Sequence, residues 1–209
     1  MIDFNKYFDK TCVINLDRRP DRYESFKKEM SKFKIENIEK FSAIDGKNFE
    51  IENQTRKLLD GEIGVLQSHL EIIKKAKSDG LKNILILEDD VYFTDEILKL
   101  EEYMSLVPKD WDFIYFGGNH IYGQPPQLIN EKIIKLNYTV ALQCVAINNT
   151  MFEVIEAILP KMQKQVDAYY ADLHNTFNAY GFYPSMAKQT AGFSDIQNRT
   201  VDYANFFKN

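Results

Sequence analysis

Three consecutive carboxylates close an apolar run in NILILEDDVYF, residues 83–93. Ile84 to Leu87 suit a strand buried on both faces, and Glu88, Asp89 and Asp90 follow at its end. In an extended segment Glu88 and Asp90 project to one side, roughly 7 Å apart. At an effective dielectric of about 20, two charges at that distance repel by roughly 2–3 kcal/mol. A hard divalent cation reverses that sign, and Mg2+ and Mn2+ favour carboxylates completed by substrate phosphates. Ligands of open α/β sheets bind outside the carboxyl ends of strands. The residues read as a metal–diphosphate site, and an acidic, solvated turn after a core strand fits them equally well.

A second set of charges follows the first expected strand, KTCVINL (10–16), in the turn DRRPDR (17–22). Pro20 stands where a first helical turn accepts it, and Tyr23, Phe26, Met30 and Phe33 recur at helical spacing, so a helix over 20–33 is expected. Strand, turn and helix place Asn15, Arg18, Arg19 and Arg22 at the mouth of a sheet. The planar guanidinium fork suits phosphate there. Surface pairing of these arginines with Asp17 and Asp21 is the plain alternative.

The elements that must hold these groups alternate strand with helix. A strand over 37–44 leads through the turn Asp45–Lys47 and a polar connection over 48–60 to a helix over 61–80. In that helix Ile63, Leu66, Leu70 and Ile73 form an apolar stripe that takes in His69, which reads first as a core histidine. A short helix over 95–104 precedes the strand DFIYF (112–116) and Gly117-Gly118, a pair that suits close approach by a ligand or a tight turn. Residues 120–130 read as a loop and 133–136 as an edge strand. TVALQCVAI (139–147) reads as one long strand. Asn148 or Asn149 is expected to cap the next helix, which Pro160 ends. Asp167 is expected to cap a helix running to Tyr180, and Phe182 to Ala187 to form the last strand. The pattern predicts an α/β fold with a mainly parallel sheet and helices on both sides.

Composition narrows the function classes. The 209 residues are 44% hydrophobic and 27% charged, which suffices for one sizeable core; the net charge of −5, with acids and bases interleaved, offers no basic nucleic-acid face. No apolar run approaches the ~20 residues of a transmembrane span, and the first residues contain no apolar signal core. Cys12 and Cys144 lie in strand-like runs without zinc spacing, so reduced structural thiols and a cytoplasmic setting are expected, peripheral membrane attachment being compatible with it. One domain over 1–209 is expected, with a nucleotide-binding half to about 118 and an acceptor-side half from about 119. Oligomeric state is not legible.

Four segments in order, VINLDRRPDR (13–22), GEIGVLQSHLEII (61–73), ILILEDDVYF (84–93) and WDFIYFGG (111–118), resemble glycosyltransferase family 25. That group holds lipopolysaccharide-core and procollagen hydroxylysine galactosyltransferases. QVDAYYADLH (165–174), the pair Tyr183-Pro184 and QTAGFSDI (189–196) extend the likeness. The resemblance implies a GT-A-like, Rossmann-related fold. It also implies metal-dependent, inverting transfer of a hexose, galactose or glucose, from a UDP-sugar to a hydroxyl acceptor on a glycan or protein, with Mn2+ or Mg2+ as cofactor. Glu88 and Asp90 would be the metal contacts, counterparts of the outer positions of a DxD motif, with Glu in place of the first Asp. Asp89 would hold the sugar or ribose. Asn15, Arg18 and Arg22 would face the nucleotide, and Ser68-His69 matches a family Ser-His pair expected at the cofactor.

For inversion a carboxylate must take the acceptor hydroxyl's proton. Asp167 is the first candidate, because a helix N-terminus favours its ionised form; Asp195 in GFSDI is the second and Asp172 the third, while His174 is not read as a ligand. A nucleotidyltransferase would need a Gly-rich loop where DRRPDR stands, and DDVYF lacks the nucleophile pattern of a haloacid-dehalogenase phosphatase. A different class remains: a catalytically degenerate nucleotide-sugar-binding or interaction module of the same fold.

Overall fold

The computed structural model describes residues 2–49, 57–121, 124–196 and 199–201. Strands β1 (Thr11–Asn15) and β2 (Glu39–Ser42) flank helix α1 (Pro20–Lys32) in sequence. Helix α2 (Asp60–Ser78) leads to β3 (Asn83–Glu88) and a short β4 (Val91–Phe93). A 3-10 turn (Asp95–Lys99) runs into α3 (Leu100–Leu106), then β5 (Phe113–Tyr115), β6 (Asn119–His120), β7 (Gln127–Leu128), β8 (Ile133–Lys135), β9 (Thr139–Val140) and β10 (Cys144–Asn148). Helices α4 (Phe152–Ile158) and α5 (Val166–Leu173) precede β11 (Ala179–Phe182), β12 (Ala187–Gln189), β13 (Gly192–Ser194) and β14 (Arg199–Val201).

Among the described residues, eight strands form the central sheet in the order β2-β1-β3-β10-β5-β11-β8-β7. Its pairings set β10 and β8 against the common direction of the others. The mainly parallel sandwich is therefore present, with a reversed strand at its centre. Alternate residues of β1, β3 and β10 feed two cores, as pleating requires. Cys12, Ile14, Ile84, Ile86, Val145 and Ile147 pack beneath α2, α4 and α5. Val13, Leu85, Leu87, Cys144 and Ala146 pack with residues of α1 and α3 on the other face. Both cysteines are free and buried, and burial pushes the Cys12 thiol up to about 12.

Several local expectations change. The last strand expected over Phe182 to Ala187 does not form: Phe182 ends β11, Ala187 begins β12, and β13 and β14 follow. The strand expected over 139–147 breaks after Val140, where Ala141 takes the left-handed region (φ 72°), and β9 pairs with β6 instead of continuing into β10. The helix expected to reach Tyr180 stops at Leu173, and Ala179–Phe182 joins the sheet beside β5. The spacing of Tyr170, Leu173, Phe177 and Tyr180 is helical, but Tyr180 finds its apolar partners from a strand. Asp167 is not the cap: Gln165 holds that position, and Asp167 lies in the first turn. Of the connection over 48–60, residues 50–56 lie outside the described residues, as do 122–123 of the loop over 120–130 and much of the final tail.

Gly117 answers one question that its sequence left open. A Cβ on it would lie 1.9 Å from the Ala187 carbonyl oxygen, and one on Gly118 2.5 Å from Thr139 Cγ2. The close approach at this glycine pair is by the chain itself. Gly117→Ala is expected to cost about 1–3 kcal/mol through backbone displacement, read as a lower urea midpoint with an unchanged slope; an unchanged midpoint would show that the 187 segment yields freely.

Candidate active site

The β1–β3 register sets Ile14 against Glu88, so both strands end at the same edge of the sheet. β10 enters that edge from the opposite direction, and the Gln143 carbonyl accepts the Glu88 N–H at 3.1 Å. Asp89 and Asp90 form the tight turn into β4. β12 pairs antiparallel with β4, placing Gln189 opposite Val91. The Gln189 amide then donates to Glu88 Oε2 at 3.0 Å and to Asp90 Oδ1 at 3.4 Å. Thr190 donates its N–H and its hydroxyl to the Asp90 carbonyl, at 2.9 and 3.1 Å. The C-terminal segment is thereby fastened to the acid turn.

Asn15, at the end of β1, donates to Asp89 Oδ2 at 2.6 Å and to the Arg19 carbonyl at 3.1 Å. Its Oδ1 is buried with no hydrogen-bond partner in the described structure. Such an acceptor is costly when unmet, and a ligand hydroxyl or N–H would satisfy it. Arg22, from the first turn of α1, sets one nitrogen against both Asp89 and Asp90, the latter at 2.9 Å. The sequence thus brings Asn15, Arg22, Glu88, Asp89 and Asp90 to one place.

Burial, then the charges of Asp90 and Asp89, push the Glu88 carboxyl up to about 8, against the pull of Arg22. Asp167 adds to the upward push, so it lies within electrostatic reach. Asp89 is also raised by burial, with Arg22 and Asn15 opposing. Glu88 and Asp90 converge on a single amide donor, and two carboxylates completed by ligand oxygens are what Mg2+ takes. The pair fits a divalent ion that also holds a diphosphate. No group of three or more His, Cys, Asp or Glu among the described residues stands as a complete metal cage.

Asp167 accepts the Ala141 N–H at 3.3 Å and its neighbour Ala168's N–H at 2.8 Å. Burial raises its pKa and these N–H groups pull it back. The break in the expected strand at Ala141 is what turns that amide toward it. Asp172 pairs with Lys164 at the surface. Asp195 lies against Arg18, Arg19 and Arg22.

Ser68 and His69 are fully buried in α2. The Ser68 hydroxyl donates to the Gly64 carbonyl at 2.7 Å and accepts the Ile44 N–H at 2.9 Å, tying α2 to the loop after β2. His69 Nδ1 meets the Tyr170 hydroxyl at 3.2 Å, and burial drives its pKa to about 3, so the ring is neutral. His174 accepts the Thr139 N–H at Nδ1 and meets the Tyr115 hydroxyl at Nε2. Gln189 is a site residue that the sequence does not single out, whereas Arg19 is among the arginines expected at the mouth of the sheet. Gln189 belongs to the QTAGFSDI run, but its place opposite Val91 is a matter of strand pairing across 98 positions.

The mainly parallel α/β sheet brings acids and arginines together at adjoining strand ends. A sequence profile described as glycosyltransferase family 25 (LPS biosynthesis protein) matches residues 8–144, and the chain belongs to that family. Procollagen galactosyltransferase 2 of Mus musculus is 29% identical over 149 residues, 62% of this chain and 24% of that protein. Inactive glycosyltransferase 25 family member 3 of Homo sapiens is 31% identical over 134 residues, 54% of this chain and 22% of that protein. The chain thus spans about a quarter of the length of these relatives. Among solved structures, UDP-glucose pyrophosphorylase complexed with UDP-glucose aligns at a TM-score of 0.47 and 10% identity, covering 86% of this chain and 74% of that one. Among the described residues no helix is long and apolar enough to cross a membrane.

The raised pKa of Glu88 has a sign that can be read. Folding favours its neutral form, so with chelator present its contribution to stability is full below about 4.5, the ordinary value, and is lost as pH rises toward about 8. Glu88→Gln keeps the neutral shape. Urea midpoints of wild type and Glu88→Gln should coincide near pH 4 and separate in favour of the variant by pH 8. Parallel curves would place the Glu88 charge in solvent.

Proposed function

We propose that this chain is a glycosyltransferase domain that moves a hexose from a UDP-sugar to a hydroxyl acceptor, with inversion at the anomeric carbon. The observation that carries the reading is the convergence of Glu88 and Asp90 on the Gln189 amide, beside Arg22 bound to Asp89 and Asp90. Glu88 and Asp90 would hold Mn2+ or Mg2+, which as a Lewis acid offsets the charge that develops on a departing diphosphate. Asn15, Arg18 and Arg22 bind and orient the nucleotide side of the donor. Asp89, already fixed by Asn15 and Arg22, is placed to receive a sugar or ribose hydroxyl.

Asp167 serves as the base. Its raised pKa lies nearer the working range of a proton acceptor than that of an exposed aspartate. The acceptor O–H gives its proton to Asp167, the oxygen bonds to the anomeric carbon, and the carbon–oxygen bond to the diphosphate breaks with its electron pair leaving on UDP. Galactose as the donor sugar, and a lipopolysaccharide or a collagen-like hydroxyl as acceptor, rest on the family and its named relatives. A second reading, a non-catalytic module that binds a nucleotide sugar, is favoured by one observation: the same likeness reaches a human protein named inactive. Against it, this chain keeps all three acids, Glu88, Asp89 and Asp90.

Calorimetric titration with UDP should give binding that strengthens on adding Mn2+ and loses that gain in Asp90→Asn; binding indifferent to Mn2+ would remove the acid turn from the metal role. Asp167→Asn should keep UDP affinity and lower transfer or donor hydrolysis by at least about 100-fold. Normal turnover in that variant would move the base to another residue.

A further inference from the structure

Three arginines of the turn after β1 share one pattern. Arg19 gives its Nε and one terminal nitrogen to the two oxygens of Asp21, at 3.0 and 2.9 Å. Arg18 gives one nitrogen to Asp45 at 2.5 Å. Arg22 gives one to Asp89 and Asp90. Each is thus anchored by an acid on one side, and each turns its remaining terminal nitrogen toward the same group, the carboxylate of Asp195. Arg19 bonds it directly, and Arg22 and Arg18 stand at 3.7 and 3.8 Å. The Asp195 side chain is only 17% exposed. The segment that carries it is seated on α2, where a Cβ on Gly61 would lie 2.4 Å from the Ile196 Cα.

Three pre-oriented guanidinium groups facing one carboxylate form an anion-binding cage: their charge is balanced by the anchoring acids, but their three inward terminal nitrogens are more donors than the two oxygens of the occupant can meet well. The bidentate grip of Asp21 fixes the Arg19 rotamer, so presenting the free nitrogen costs little further entropy. A diphosphate carries more charge and more acceptor oxygens than a carboxylate and suits the fork geometry better. The cage adjoins the acid turn, because Arg22 belongs to both.

We propose that Arg19 is a ligand of the donor's diphosphate and that Asp195 is its internal stand-in, bound in the cage until a diphosphate displaces it. The inference rests on the reading of this site as a nucleotide-sugar site and deepens it. It assigns Arg19 a binding role beside Arg18 and Arg22, and it makes the segment around Asp195 the part of the chain that moves when donor enters.

The test is calorimetric titration of the full chain with UDP, with inorganic pyrophosphate and with uridine, in the presence of Mn2+. Asp195→Asn keeps the shape and removes the competing charge; UDP and pyrophosphate should bind about tenfold more tightly to it, one charge-assisted hydrogen bond's worth, and uridine no differently. Arg19→Ala should weaken UDP by a similar factor, and Asp195→Asn should then add little gain. Arg19→Lys, which keeps the charge without the fork, should fall between. Hydrogen exchange at residues 192–196 should quicken when UDP binds wild type. An unchanged or weaker UDP affinity in Asp195→Asn, or a gain that survives intact in Arg19→Ala, would overturn the exchange while leaving the nucleotide site standing. Failure of wild type and every variant to bind either UDP or pyrophosphate would overturn both.

Discussion

The site depends on one guanidinium. Glu88, Asp89 and Asp90 end a strand with three acids in a row, and Asp195 arrives beside them from the C-terminal segment. Without a counter-charge, that gathering would be repulsive by several kcal/mol at the effective dielectric of a protein surface. Arg22 lies between the two groups, one nitrogen on Asp89 and Asp90 and the other facing Asp195. The first turn of α1 fixes its position, Pro20 starts that helix, and β1 points it at the sheet edge. Even so the Glu88 carboxyl is pushed up, first by burial and then by the charges of Asp90 and Asp89, against the pull of Arg22. A residual excess of negative charge is a favourable setting for a divalent cation.

The reversed strand β10 gives that edge its shape. Because it runs against β3 and β5, its entry rather than its exit meets the acid turn, and the chain approaching it must fold across the mouth of the sheet. The residues before it, broken at Ala141, supply the amide that Asp167 accepts. A continuous strand over 139–147 would have committed that amide to a ladder. The antiparallel register of β10 on β3 continues one pair further, where the Gln143 carbonyl accepts the Glu88 N–H and joins the two halves of the site.

Much of this was legible from the letters. Buried runs such as Ile84–Leu87 and periodic faces such as Ile63–Ile73 declare their elements because burial and period are local properties. The acid turn and the arginines of DRRPDR could be placed at strand ends for the same reason. What escaped depends on tertiary partners. The direction of β10, the early end of α5 and the pairing of β12 with β4 are decided by neighbours far away in sequence. The helical spacing through Tyr180 was a true signal of apolar repetition that a strand used instead. Ser68 and His69 stand out in the sequence as a pair, but only tertiary packing supplies their partners, Gly64 and Ile44 for the Ser68 hydroxyl and Tyr170 for His69 Nδ1, with His69 Nε2 buried and unpartnered among the described residues.

The contact between Thr190 and the acid turn joins residues 100 positions apart, and that between Arg19 and Asp195 joins residues 176 apart. Separation on this scale adds little to the equilibrium cost of closure, about 0.6 kcal/mol per doubling of length. Its larger effect is on timing. Synthesis proceeds from the N-terminus, so the arginine turn and the acid turn are both made well before the segment that bridges them. During that interval a nascent chain carries Glu88 and Asp90 without the Gln189 amide and the arginines without the Asp195 carboxylate. Assembly of this centre therefore waits until residues 189–195 return to the acid turn and to the arginines after β1.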